Sequence, residues 1–205
     1  NRIFTGASFG WASIFSAALL LTLLPFGVKS GWHPSTIKVF SSALAVFAVY
    51  LTIVNWQLAQ SWVISHNAQK DVVYQVRKLR EKIKYPDVLI LCDFPRYVMW
   101  SPIFDGIWDF QSMVRVILKE PKLQAGVLSD RLCMEKHQIK DVSVGYTCAA
   151  YPVKQIKMFI PCKDRLVSVS SAREFVSIAE RNSAQSMLSP GTIEKWSKQI
   201  EASEK

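Results

Sequence analysis

Two long apolar runs without a single charged side chain stand at the front of this chain, and nothing like them follows. Ile3 to Val28 form the first and Val39 to Ser65 the second. A helix needs roughly 20 apolar residues to cross the hydrocarbon layer of a bilayer, and each run exceeds that. Helices of a soluble core rarely stay uncharged for so long. A cleaved leader fits less well, because the first run is longer than a leader's apolar stretch and has only Arg2 as a basic flank. Trp11, Trp32, Trp56 and Trp62 lie near the run ends or in the turn, at depths that suit indole rings at an interface. The expectation is a transmembrane hairpin, with helices at about 3–28 and 39–65 joined by a short turn from Lys29 to Lys38.

Charge divides the chain at the same place. Lys and Arg total 25 and Asp and Glu 16, yet only Arg2, Lys29 and Lys38 precede residue 65 and every acid follows it, which leaves about +6 for the remainder. A basic domain beside a bilayer suits anionic headgroups. The cations are dispersed among acids, with no continuous basic run, so nucleic acid is not an expected partner. Lys70, Arg77, Lys78, Arg80, Lys82 and Lys84 follow the second run closely, and read by themselves they place the domain on the cytoplasmic side. A folded domain, however, translocates largely regardless of its charge.

The periodicity changes after residue 66. Val72, Val76, Leu79 and Ile83 recur at helical spacing, which predicts an amphipathic helix from Asn67 to Lys84, closed by Tyr85-Pro86. Val88 to Cys92 is a continuous apolar run of strand length, as in a strand buried on both faces. A helix from Ile107 to Lys119 and a strand from Gln124 to Leu128 complete a β-α-β unit with parallel strands. Ile156 to Cys162 and Leu166 to Ser170 flank the turn pair Lys163-Asp164 and read as a β-hairpin. A helix from Ala172 to Met187 and another from Ser189-Pro190 to about Ala202 end the chain. The fold class expected is thus a two-helix transmembrane hairpin (1–66), a small α/β domain (67–188) and a C-terminal helix with its tail (189–205).

The stretch from Cys92 to Asp109 is the densest in chemically useful side chains. It begins at the carboxyl end of a buried strand, where open α/β sheets place their ligands. Asp93, Arg96, Asp105 and Asp109 alternate there with Tyr97, Trp100 and Trp108. Rings that stack on sugar faces beside acids that take the hydroxyls are the chemistry of a saccharide site. This makes Asp93, Arg96, Trp100, Asp105, Trp108 and Asp109 the candidate substrate-binding set. The competing reading is that the rings pack the loop and the acids cap turns. Cys133 and Cys148 are the first pair to consider for a disulfide in an oxidising compartment. Cys133 and His137 stand four residues apart, but two further zinc ligands have no evident source, so neither a metal nor a cofactor is expected. Phosphate-binding glycine loops, nucleophile elbows and zinc-protease motifs are absent from the sequence, and no catalytic residue is assigned.

Apolar helices leading into an α/β domain, with a strand, an aspartate-proline turn and an aromatic loop (VLILCDFPRYVMWSPIFDGIWD), resemble the C-terminal parts of polytopic glycosyltransferases of the GT-C type. These use lipid-linked sugars and include bacterial O-antigen glucosyltransferases. The resemblance implies an integral protein of a bacterial inner membrane, a domain on the extracytoplasmic side, and a lipid-linked sugar or glycan acceptor as ligand. In that family the catalytic acid sits in an early extracytoplasmic loop, so no catalytic residue carries over. The chain begins with Asn rather than Met, which agrees with further membrane helices upstream. The function expected is that of the last hairpin and accessory domain of a multispanning glycan-assembly protein. Two alternatives remain: a small two-span protein whose basic domain docks a protein partner or anionic lipid, and a tethered enzyme in which Asp93, Asp105 and Asp109 converge.

Overall fold

The computed structural model describes residues 31, 33–98, 101–104, 107–142, 149–186 and 188–204, with Ile37, Ile107 and Trp108 described by their backbone alone. The expected first membrane helix, 3–28, lies outside the described residues. The second run and the amphipathic stretch behind it are a single helix, α1, Pro34–Lys78, of 45 residues. This corrects the expectation of separate helices at 39–65 and 67–84. The reason is legible in the chain: between Pro34 and Pro86 there is neither glycine nor proline, so nothing interrupts the backbone ladder. His33 precedes the first turn and accepts from the Ser35 amide at 3.4 Å. At the other end Leu79, Arg80 and Lys82 donate to carbonyls three residues back, and the helix tightens into turns before Pro86.

The chain divides into two compact units, with the division inside α1 after Ile64. In the first unit α1 is apolar on every side. Its most apolar window has mean hydropathy 2.0 with none of its residues buried among the described residues, so it is long and apolar enough to cross a membrane. Val39, Val46, Val49, Tyr50 and Ile53 are all more than half exposed. Thr52 returns its hydroxyl to the Ala48 carbonyl at 2.8 Å, a usual way to satisfy a hydroxyl on an apolar helix.

The second unit is a three-layer α/β domain. Strand β1 (Val88–Leu91) is followed by a ribbon of β2 (Tyr97–Val98) and β3 (Ser101–Pro102), helix α2 (Ile107–Leu118) and strand β4 (Gln124–Val127). A three-stranded antiparallel meander comes next: β5 (Leu132–Met134), β6 (Gln138–Asp141) and β7 (Ala149–Pro152). Strands β8 (Ile156–Ile160) and β9 (Arg165–Ser168) lead to helices α3 (Ala172–Arg181) and α4 (Thr192–Ser203). The main sheet has the order β4-β1-β8-β9, with β1 parallel to both β4 and β8 and β9 antiparallel at the edge. The β-α-β unit and the hairpin thus stand as expected; the meander is an addition.

Alternation along β1 explains the layers. Leu89 and Leu91 face Phe110, Val114 and Leu118 of α2 and Val72 and Val76 of α1. Val88 and Ile90 face Phe175 and Ile178 of α3, Trp196 and Ile200 of α4, and Ile139 and Tyr151 of the meander. Every residue of β1 is buried, as a strand covered on both faces requires. Trp196 clamps the second layer: its indole nitrogen donates to the Leu132 carbonyl at 2.7 Å and its ring meets Phe175 edge-on at 6.2 Å. Helix α3 is shorter than expected because Asn182 caps it. It starts at Ser171, whose hydroxyl accepts from the Glu174 amide, while the Glu174 carboxylate accepts from the Ser170 amide. Helix α4 starts at Thr192 after Gly191 in the left-handed region, φ 80°, so Pro190 precedes the helix rather than opening its first turn.

Candidate functional site

The sheet has a switch point. The connection from β1 to β4 runs through α2 on one face, and the meander that leads to β8 packs on the other, so the carboxyl ends of β1 and β8 flank the position where open α/β sheets place ligands. Asp93 lies there, one residue past Cys92, with φ 51° and only 8% exposed. An aspartate tolerates this left-handed conformation better than most side chains. Its carboxylate is engaged by the protein: Oδ1 accepts from the Gln185 amide at 3.0 Å and Oδ2 from the Cys162 thiol at 2.9 Å. Its own amide donates to the Ser186 hydroxyl at 2.9 Å. Asp93 therefore ties the ends of β1 and β8 to the turn after α3. Burial and the neighbouring carboxylate push the Cys162 thiol up, so it remains a protonated donor rather than a thiolate.

A second group lies beneath the carboxyl edge on the inner face of the meander. In the β6–β7 register Ile139 pairs Tyr151 and Asp141 pairs Ala149, so Asp141 and Tyr151 share the face turned to the core. Asp141 is 4% exposed and Tyr151 fully buried. Asp141 Oδ1 and Tyr151 Oη have no hydrogen-bond partner among the described residues. Burial raises the Asp141 carboxyl, and the charges of Arg131 and then Arg96 partly offset it. Burial, followed by the Asp141 charge, raises the Tyr151 phenol. Gly126 on β4 leaves room for that phenol: a Cβ there would stand 3.3 Å from Tyr151 Oη and 3.3 Å from Ile90 Cδ1. Asp130 belongs to the same rim. The Ser189 hydroxyl donates to it at 2.6 Å and, with Arg96 and Arg131 nearby, holds its carboxyl below the usual value.

The structure sorts the sequence candidates. Asp93 and Arg96 are at the carboxyl edge, and Arg96 lies 5.8 Å from the Tyr97 ring centre. Asp109 sits in the first turn of α2, where a carboxylate complements the helix dipole. Trp100 and Asp105 lie outside the described residues, as does the side chain of Trp108. Cys133 is a free thiol on β5, and its proposed partner Cys148 lies outside the described residues. No group of three metal-ligating side chains occurs among the described residues.

Cys162, Ser186, Arg131, Asp141 and Tyr151 were not singled out from sequence. Cys162 was the most accessible of them, since it ends a strand just as Cys92-Asp93 does. Only knowledge that β8 lies parallel to β1 brings the two together. Comparison with family models, with curated proteins and with solved structures finds no match to this chain.

Proposed function

We propose that the chain is the membrane helix and accessory α/β domain of a glycan-assembly protein of a bacterial inner membrane, and that the domain binds a hydroxyl-rich acceptor on the extracytoplasmic side. The observation that carries this reading is the pair Asp141 Oδ1 and Tyr151 Oη. One is an acceptor and the other a donor, both are unmatched among the described residues, and both lie under the carboxyl edge beside two arginines. A sugar hydroxyl admitted to this rim by local opening of the domain donates to the first or accepts from the second. A buried polar atom left without a partner costs about 1–3 kcal/mol, so a ligand that supplies the missing hydrogen bonds gains that much in return. The aromatic-acid loop of the sequence resemblance enters at the same edge through Asp93 and Arg96.

The test is saturation-transfer NMR on the full chain in lipid nanodiscs, with a panel of neutral oligosaccharides. The reading expects a saccharide that receives saturation from wild type and loses it in both Tyr151→Phe and Asp141→Asn. Saturation that persists in both variants, or none for any saccharide, removes it.

The second reading is docking of the basic domain on a protein partner or an anionic membrane surface. It is favoured by one observation: Lys70, Arg77, Lys78, Arg80, Lys82 and Lys84, along and just beyond the last turns of α1, are all exposed. Flotation of the chain's soluble unit with liposomes, unchanged by their phosphatidylserine content, counts against the membrane form of it.

A further inference from the structure

A groove of about 340 Å³ runs between the edge strand β9 and helix α3. Its floor is apolar, made by Ile160, Val167 and Ile178. Its walls carry Lys163, Arg165 and Arg181 against one acid, Glu174. None of the three cations forms an ion pair with a carboxylate among the described residues. Glu174 is already committed to capping α3, where it accepts from the Ser170 amide and hydroxyl. Asp164 stands between Lys163 and Arg165 in sequence but does not line the groove.

Cations on an edge strand discourage strand-to-strand aggregation, and that explains why Arg165 is exposed. It does not explain why Lys163 is held in place. The Lys163 ammonium donates to Asn182 Oδ1 at 2.6 Å, and the Asn182 amide in turn donates to the Ile178 carbonyl at 2.8 Å. Asn182 is 9% exposed, so the chain of bonds that aims the lysine is itself anchored in the interior. The carboxyl end of α3 contributes a partial negative charge of about −0.5, which three full cations outweigh. Lys163 follows Cys162 directly, so the groove opens at the carboxyl end of β8, beside the switch point.

We propose that this groove binds a phosphate monoester, with Lys163, Arg165 and Arg181 on the phosphate oxygens and the apolar floor under the group that the phosphate carries. Three cations without an ion pair among the described residues, set against the one carboxylate of Glu174, leave an excess of positive charge that suits a dianion, and arginine forks match its oxygens in pairs. Phosphate on a membrane lipid and phosphate on a soluble ester share this chemistry. The site stands whether or not the domain binds a glycan.

The full chain in phosphatidylcholine nanodiscs, titrated calorimetrically with glycerol 3-phosphate and with dihexanoyl phosphatidic acid, tests it. At least one probe is expected to bind, and more weakly as sodium chloride rises. Tighter binding of the acyl-bearing probe assigns a lipid source, and equal binding a soluble ester. Arg165→Gln and Lys163→Gln should each weaken binding about tenfold, the equivalent of one lost charge-assisted hydrogen bond. Lys195→Gln, on α4, which contributes no residue to this groove, should not. The Arg165 side chain makes no hydrogen bond among the described residues, so its variant reads binding rather than folding. Absence of binding by both probes, or binding equal in wild type, Arg165→Gln and Lys163→Gln, overturns the proposal.

Discussion

Removing one oxygen from the interior should make this domain more stable. Tyr151 is fully buried, and its Oη has neither donor nor acceptor among the described residues. Tyr151→Phe keeps the ring that packs over Gly126 and Ile90 and deletes only the stranded hydroxyl. The usual Tyr→Phe change in a core sacrifices a satisfied hydrogen bond and costs about 1 kcal/mol. Here the burial penalty of an unmatched hydroxyl is relieved instead, and the expected gain is about 1–2 kcal/mol. Amide hydrogen exchange at Leu89, Ile90 and Met158 reads it, because amides in the middle of the sheet exchange only when the domain opens. Their exchange should slow by about 5- to 30-fold in the variant. Faster exchange refutes the reasoning, since it means that the hydroxyl is satisfied in the native state. The same substitution that stabilises the free domain should abolish saccharide saturation, an opposition expected of a binding group and not of a packing group.

Four further outcomes follow from the same geometry. Asp141 has a raised carboxyl in the fold, so its contribution is most favourable below the ordinary aspartate value and is lost as pH rises through the raised one; Asp141→Asn should flatten that fall in urea titrations at stepped pH. Asp130 has the opposite sign: its lowered carboxyl stabilises above the ordinary value and that stability is lost as pH falls, and Ser189→Ala should diminish the effect by less than about 1 kcal/mol because the pair is largely exposed. Asp93→Ala strands the Gln185 amide and the Cys162 thiol and should cost about 2–3 kcal/mol, seen as faster exchange in the turn after α3 and at the end of β1; unchanged exchange there would show that the carboxylate is not the tie between them. Gly126→Val should destabilise by about 1–3 kcal/mol through the Tyr151 oxygen and Ile90, and by less in a Tyr151→Phe background.

Apolar periodicity carried the second unit of the fold well, because its signals are local. The buried strand Val88–Leu91, the helix at Ile107 and the hairpin around Lys163-Asp164 each declare themselves within a dozen residues. The meander did not. Its strands are three or four residues long, and β6 alternates buried with half-buried positions in a pattern, Gln138 to Asp141, that has only one aliphatic residue. A buried aspartate reads as a loop residue until its neighbours are known. The long helix hides its continuity for a different reason: a change from uniform apolarity to an apolar stripe suggests a boundary, although no glycine or proline marks one. The candidate site was half legible. Asp93 and Arg96 announced the carboxyl edge, but their partners come from strands and turns about 35 to 90 residues away, and only the parallel register of β1 with β4 and β8 gathers them.

The central claim is that α1 is one unbroken helix, long and apolar enough to cross a membrane and part of a domain core beyond Ile64. Spin labels placed singly from Val39 to Leu79 in nanodisc-embedded protein measure it, through collision with oxygen and with a water-soluble nickel chelate. The account predicts oxygen access without helical periodicity at Val39, Val46, Val49, Tyr50 and Ile53. It then predicts a period near 3.6, with Val72, Val76 and Leu79 immobilised and Lys70 and Arg77 open to nickel. Nickel access at Val46, Val49 and Ile53, or a loss of helical continuity near Ser65, would contradict it.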